Sequence, residues 1–208
     1  MEHRQDTVKS WADPSALGNI CIGLLLLSQW GFFTGITGPA TGIVLLPWLL
    51  TAIPVIFVIV FIQFRLGDFV GGTVNGLLGI VLMGQGAIKG IIALLFILYG
   101  QEIPPTYAAD AALTDALPML CAFVVLLVAG FLSGMGQSKI QALCVWVAAV
   151  GFLLIALANL GVNPVLGLVG GCCMLVIGFW LFYAGIALLF NGAVGKNVLP
   201  LGQPFSRK

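Results

Sequence analysis

Residues 75–100 read NGLLGIVLMGQGAIKGIIALLFILYG, a run in which Lys89 is the single charged side chain. A helix needs about 20 residues, at roughly 1.5 Å each, to cross the hydrocarbon core of a bilayer. The run is long enough to span a membrane and too apolar to face water. It also holds an ammonium group where lipid exposure costs about 2.5–3.5 kcal/mol. The lysine therefore needs a wet or paired environment, and the rest of the chain has to supply it.

The 208 residues are 61% apolar and 7% charged, with a mean hydropathy of +1.16. A soluble domain carries about 25% charged residues. Eight basic and seven acidic side chains cannot cover a water-facing surface of this size, so the expected class is an all-α integral membrane protein whose main partner is the lipid bilayer. A net charge of +1 gives no reason to expect nucleic acid as a partner. The polar start, MEHRQDTVKSWADPS, lacks a small-residue cleavage pattern before the first apolar segment, so an anchored first helix is expected and not a removed signal peptide.

Function classes fall away on the same counts. Cys21, Cys121, Cys144, Cys172 and Cys173 all lie in apolar runs with no C-x-x-C spacing and read as small packing residues. His3 is the lone histidine, so a His-based metal site or a His-dependent catalytic arrangement is not available to one chain. No paired carboxylates or activated nucleophile stand in the spans. No enzyme, metal site or cofactor is expected.

Six segments reach spanning length: 16–37, 41–63, 69–99, 116–135, 139–161 and 164–190. Glycine and proline separate them in TGITGPATG, RLGD, YGQEIPP, GMGQSK and NLGVNP. Six spans put both termini and the second and fourth loops on one side, with Arg4, Lys9, Arg65, Lys139, Lys196, Arg207 and Lys208. The other side holds no basic residue unless Lys89 reaches it, and that asymmetry places the basic side in the cytoplasm. The expected organisation is a cytoplasmic segment 1–15, a transmembrane domain 16–190 and a cytoplasmic tail 191–208. Glu102, Asp110 and Asp115 are assigned to an outward loop.

VGGTVNGLLGIVLMGQG (70–86) matches VGGCCMLVIGFWLFYAG (169–185) at six of seventeen positions, offset by 99 residues. Three intervening spans make this either a 3+3 inverted repeat or a chance match between glycine-rich apolar segments.

On a helix of 100° per residue, Gly71, Asn75, Gln85 and Lys89 fall within about 40° of one line, completed by Leu78 and Leu82. Gly72, Gly76, Gly79, Gly86 and Gly90 form a neighbouring line. Glycine faces let helix backbones approach closely, so that line is expected to pack on another helix. The polar line then has two readings. Asn75, Gln85 and Lys89 line a path for a small solute, with Leu78 and Leu82 as an apolar constriction. Alternatively, Lys89 snorkels to the headgroups from the outer end of the span while Asn75 and Gln85 bridge helices.

DPSALG (13–18) resembles the asparagine-proline-alanine-proline-leucine-glycine signature of the acetate uptake transporters, or succinate–acetate permeases, with Asp13, Pro14, Leu17 and Gly18 as the signature positions, the last three identical. FIQFRLGDFVGGT (61–73) is similar to that family's segment between spans two and three. GKNVLPLGQ (195–203) is similar to its terminal motif, and LLIALANLG (153–161) to the end of its fifth span. Asp13 stands for asparagine and Ala16 for the second proline; LTAIPVI and LLGIVL replace polar or aromatic segments in spans two and three.

The resemblance implies a divergent six-span inner-membrane protein, a homo-oligomer (a hexamer) with one pore per subunit, passing acetate and in some members succinate. Passage is proton-coupled or channel-like in that family. It places the apolar constriction at Ile22, Leu78 and Ala148, more aliphatic than usual, and shows Lys89 where an apolar residue is customary. The expected route runs from Lys89 and Gln85 through that neck to Asn75, with no membrane-embedded acid or histidine to relay a proton. A channel for a neutral solute such as urea or a short amide is the nearest alternative, since GPATG (38–42) resembles a segment found in urea/amide channels. A membrane subunit that transports nothing is the third.

Overall fold

The computed structural model describes residues 12–38, 41–102, 104–136, 138–203 and 205. His3, Arg4, Lys9, Arg207 and Lys208 lie outside the described residues, as do Pro39 and Ala40 of the GPATG segment.

The described chain is helical throughout its spans: α1 Ser15–Phe33, α2 Thr41–Leu66, α3 Phe69–Leu78, a π-helical segment Gly79–Gly84, α4 Gln85–Leu98, α5 Pro105–Gly136, α6 Lys139–Asn159 and α7 Pro164–Val194. The segment from α3 through α4 is one continuous span, Phe69–Leu98, so six helices are long and apolar enough to cross a membrane. Local chemistry sets the boundaries. Asp68 caps α3 by accepting from the Gly71 N–H at 2.9 Å, and Ser138 caps α6 by accepting from the Gln141 N–H at 3.0 Å. Asn163 caps α7 ahead of Pro164, which needs no N–H partner at the first helical position. Gly195 ends α7 at φ 69°, a left-handed conformation open to glycine.

The fourth span departs from expectation. It begins at Pro105, not at 116, so Asp110 and Asp115 belong to α5 and not to a loop. The acidic residues hid a helix whose start is marked by proline and whose first turns are rich in alanine, the best helix former. Asp115 thereby stands on a helix long enough to cross a membrane, and not in a loop.

Two glycine seams hold the bundle. On the third span, a Cβ at Gly72 would stand 3.2 Å from Phe64, at Gly76 3.7 Å from Val60, at Gly79 2.9 Å from Ile56, at Gly86 3.2 Å from Leu49 and at Gly90 2.7 Å from the Gly42 carbonyl. The partners descend α2 as the glycines ascend, the signature of antiparallel packing along one groove. On α7, Gly171 faces Thr34, Gly178 faces Leu27 and Gly185 faces Ile20 and the Ala16 carbonyl, while Gly23 of α1 meets Phe182.

Gly72, Gly79 and Gly86 align with Gly171, Gly178 and Gly185 in the segments offset by 99 residues, yet the partners differ. The seam of the third span faces the second. That of the sixth faces the first, and contact with the fifth runs through Gly170 and Gly151. What the matched segments share is a close-packing device.

Candidate functional site

Two cavities lie inside the bundle, one at each end, and the six positions of the third-span line divide between them. At the end holding both termini, a cavity of about 580 Å³ is lined by Gly71, Asn75 and Leu78 of that line. At the far end, a cavity of about 620 Å³ is lined by Leu82, Gln85 and Lys89.

The terminal-side cavity is built on an amide relay. Asn75 donates to the Gln63 carbonyl oxygen at 2.9 Å, and the Gln63 amide donates to Ser15 Oγ at 3.3 Å and to Asp68 Oδ2 at 3.4 Å. Gln63 is buried near the end of α2 and joins three helices. Gly18 belongs to the same contact: a Cβ there would stand 3.0 Å from Asn75 Nδ2, so its missing side chain admits the asparagine. Pro14 precedes α1, Asp13 Oδ1 accepts from the Ser15 N–H at 2.9 Å, and Asp13 also lines the cavity. Leu17 is exposed and turned away. Gln63→Leu removes one partner from each of these bonds and leaves a buried Asn75 donor unmet. It is expected to cost about 1–3 kcal/mol, read as a lowered melting temperature in detergent.

The mouth of this cavity is crossed by the segment after α7. Asn191 Oδ1 accepts from the Val198 and Leu199 N–H groups at 2.8 and 2.9 Å, and its amide donates to the Leu199 carbonyl at 2.8 Å. Tyr183 donates to the Pro200 carbonyl at 2.9 Å. The Phe205 N–H bonds the Gly134 carbonyl at 2.9 Å, and its ring stacks on Trp146. Leu201 and Gly202 are thereby set into the cavity wall. Residues 196–203 are a tied-down strap over the bundle end, not a loose tail.

In the far cavity, Lys89 pairs with Asp115 across the α4–α5 boundary. Tyr107, whose ring is tilted against Phe96, and Asn159, whose amide rests on Met119 Sδ at 3.7 Å, complete the polar part of the wall. Gln29 lies in the same lining, and its carbonyl oxygen is buried with no hydrogen-bond partner. An unmet buried acceptor costs about 1–3 kcal/mol, so this position asks for a donor.

Between the cavities stands a dry layer. Ile22, Leu25 and Leu26 of α1, Met83 of the π segment, Ala122 of α5, Ala149 and Phe152 of α6 and Met174 of α7 are all buried and line neither cavity. Along α6 the layer runs from Ala148 on one cavity to Ile155 on the other, roughly 10 Å at 1.5 Å per residue. Of the three positions expected at the constriction, Leu78 and Ala148 stand on the terminal-side wall and Ile22 is inside the layer. Phe152, 1% exposed, is its largest member, so the layer is not purely aliphatic.

The π segment sits at the same level. Its wider turn breaks the 100° projection, and π turns concentrate at functional positions.

Sequence alone left out Phe152 and the π turn and put Asp115 in a loop. The unpaired Lys89 was itself a signal that a counter-ion had to be found in a neighbouring helix.

No protein-family model matches the chain, and no curated protein matches it. Among solved structures, the bacterial acetate channel SatP superposes with a TM-score of 0.66 at 19% sequence identity, covering 93% of this chain and 100% of that one. The chain is a six-helix membrane protein with the fold of that channel.

Proposed function

We propose that the chain is a membrane conduit for small monocarboxylates such as acetate. One observation carries this: two cavities, each with polar side chains set in a largely apolar wall, lie on either side of a single dry layer, and both are lined by residues of the polar line of the third span. A helix pair that served packing alone has no use for cavities of this volume around its amides and its ion pair. The likeness in fold to an acetate channel supports the choice of solute, as do DPSALG and GKNVLPLGQ.

The proposed route uses the residues in order. The Lys89–Asp115 pair, Gln85 and Gln29 receive the solute at the far end. The layer around Ile22, Met83, Phe152 and Met174 strips its water. Leu78 and Ala148 lead to Asn75, Gln63 and Ser15. An ionised carboxylate pays a large desolvation penalty in an apolar layer, which favours passage with a proton.

The same proposal places the protein in an inner membrane with both termini in the cytoplasm. Arg65 and Lys139 beside the terminal-side turns and Lys196 beyond α7 support that orientation. It also includes assembly as a homo-oligomer, a hexamer in the family resembled, with the exposed apolar belt of Trp48, Phe57, Phe61 and Phe64 on α2 meeting lipid or a neighbouring subunit.

The test is a flux panel in sealed proteoliposomes: labelled acetate, formate, succinate and urea at several pH values, with protein-free vesicles subtracted. Acetate and formate flux that rises as pH falls is expected. Flux of urea alone, or of nothing, would sink the proposal.

A further inference from the structure

Lys89 brings a positive charge to a cavity that otherwise suits a neutral solute, and Asp115 pairs with it from the adjacent helix. Asp115 is the more buried partner, 13% exposed against 34% for the lysine side chain. The lining contains one further titratable group, Tyr107 on α5. The other helices contribute amides, a threonine hydroxyl, small residues and apolar side chains.

The charged side chains of the cavity wall therefore cancel. An unpaired ammonium there would be an anion trap. Paired, its field is cancelled within a few ångströms. The ionised form is disfavoured twice over, by Asp115 and by the apolar layer beyond.

Resting on the conduit reading above, we infer that Asp115 determines the charge of the species that passes. By cancelling Lys89 it makes the far cavity a filter for the uncharged acid, and removing its charge turns the conduit toward the carboxylate anion.

The experiment uses the full chain in liposomes with equal acetate on both sides, labelled outside only, and a 100 mV potential, inside positive, set by potassium and valinomycin. That potential draws a permeant monovalent anion inward to about fiftyfold excess and leaves a neutral acid evenly distributed. Wild type is expected to exchange acetate without accumulating it. Asp115→Asn leaves Lys89 uncompensated and is expected to accumulate acetate at least tenfold over wild type.

Because that variant strands a partly buried ammonium and can fail to fold, Gln85→Lys provides a second arm. It keeps the ion pair and adds one positive charge to the same wall, and it is expected to accumulate acetate likewise. Potential-driven accumulation by wild type overturns the inference while leaving a conduit in place. So does a folded, transporting variant that ignores the potential. No protein-dependent exchange by wild type removes the conduit and this inference with it.

Discussion

Gly23→Ala is expected to lower the melting temperature of the detergent-solubilised protein by roughly 2–12 °C, using the usual conversion for chains of this size. A Cβ at this position would stand 2.7 Å from the Phe182 nitrogen and 3.0 Å from the Gly178 carbonyl oxygen. Both obstacles are backbone atoms of α7, so no rotamer change relieves them and the helices must part. Overpacking of this kind costs about 1–3 kcal/mol and sometimes more. Gly76→Ala is the matched control: its Cβ would meet Val60 at 3.7 Å, an ordinary contact. It is expected to leave the melting temperature nearly unchanged. Equal losses in the two variants would mean that the seams are not packed as described.

Phe152→Ala is expected to raise solute flux at least tenfold and to blur discrimination by size, so that succinate passes alongside acetate. Phe152 is the largest side chain in the layer between the cavities, and its removal leaves a void that joins them more nearly. A tenfold gain requires only about 1.4 kcal/mol off the barrier, a modest demand when a dry layer is opened. The same change is expected to cost about 3–5 kcal/mol of stability, so melting and flux are measured on one preparation. A folded variant with unaltered flux and unaltered selectivity would place the barrier elsewhere.

Much of this architecture is legible in the chain because lipid imposes a simple length rule on apolar runs. The six spans and the glycine line of the third span follow from that rule and from helical periodicity alone. The polar line of the third span was legible for the same reason. Each of its residues lines one cavity or the other despite the π turn between Leu78 and Gln85.

What stayed hidden depends on neighbours in space. Asp115 reads as a loop residue beside Pro104 and Pro105 until α5 is folded against α4. Gln63 reads as one amide among several until Asn75, Ser15 and Asp68 close around it. Phe152 is one phenylalanine among fourteen, and only the position of the cavities singles it out. The π turn leaves no mark beyond the glycines at its two ends.

That turn has a consequence for how the third span is phased. Wound at ordinary α pitch, the same six residues of Gly79–Gly84 would turn about 100° further and swing everything after them by that angle. Lys89 would then point away from Asp115, and Gly86 and Gly90 would leave the groove on α2. The wider pitch of that short stretch keeps the two halves of the span in step, like a spacer that sets the angle between two keys on one shaft.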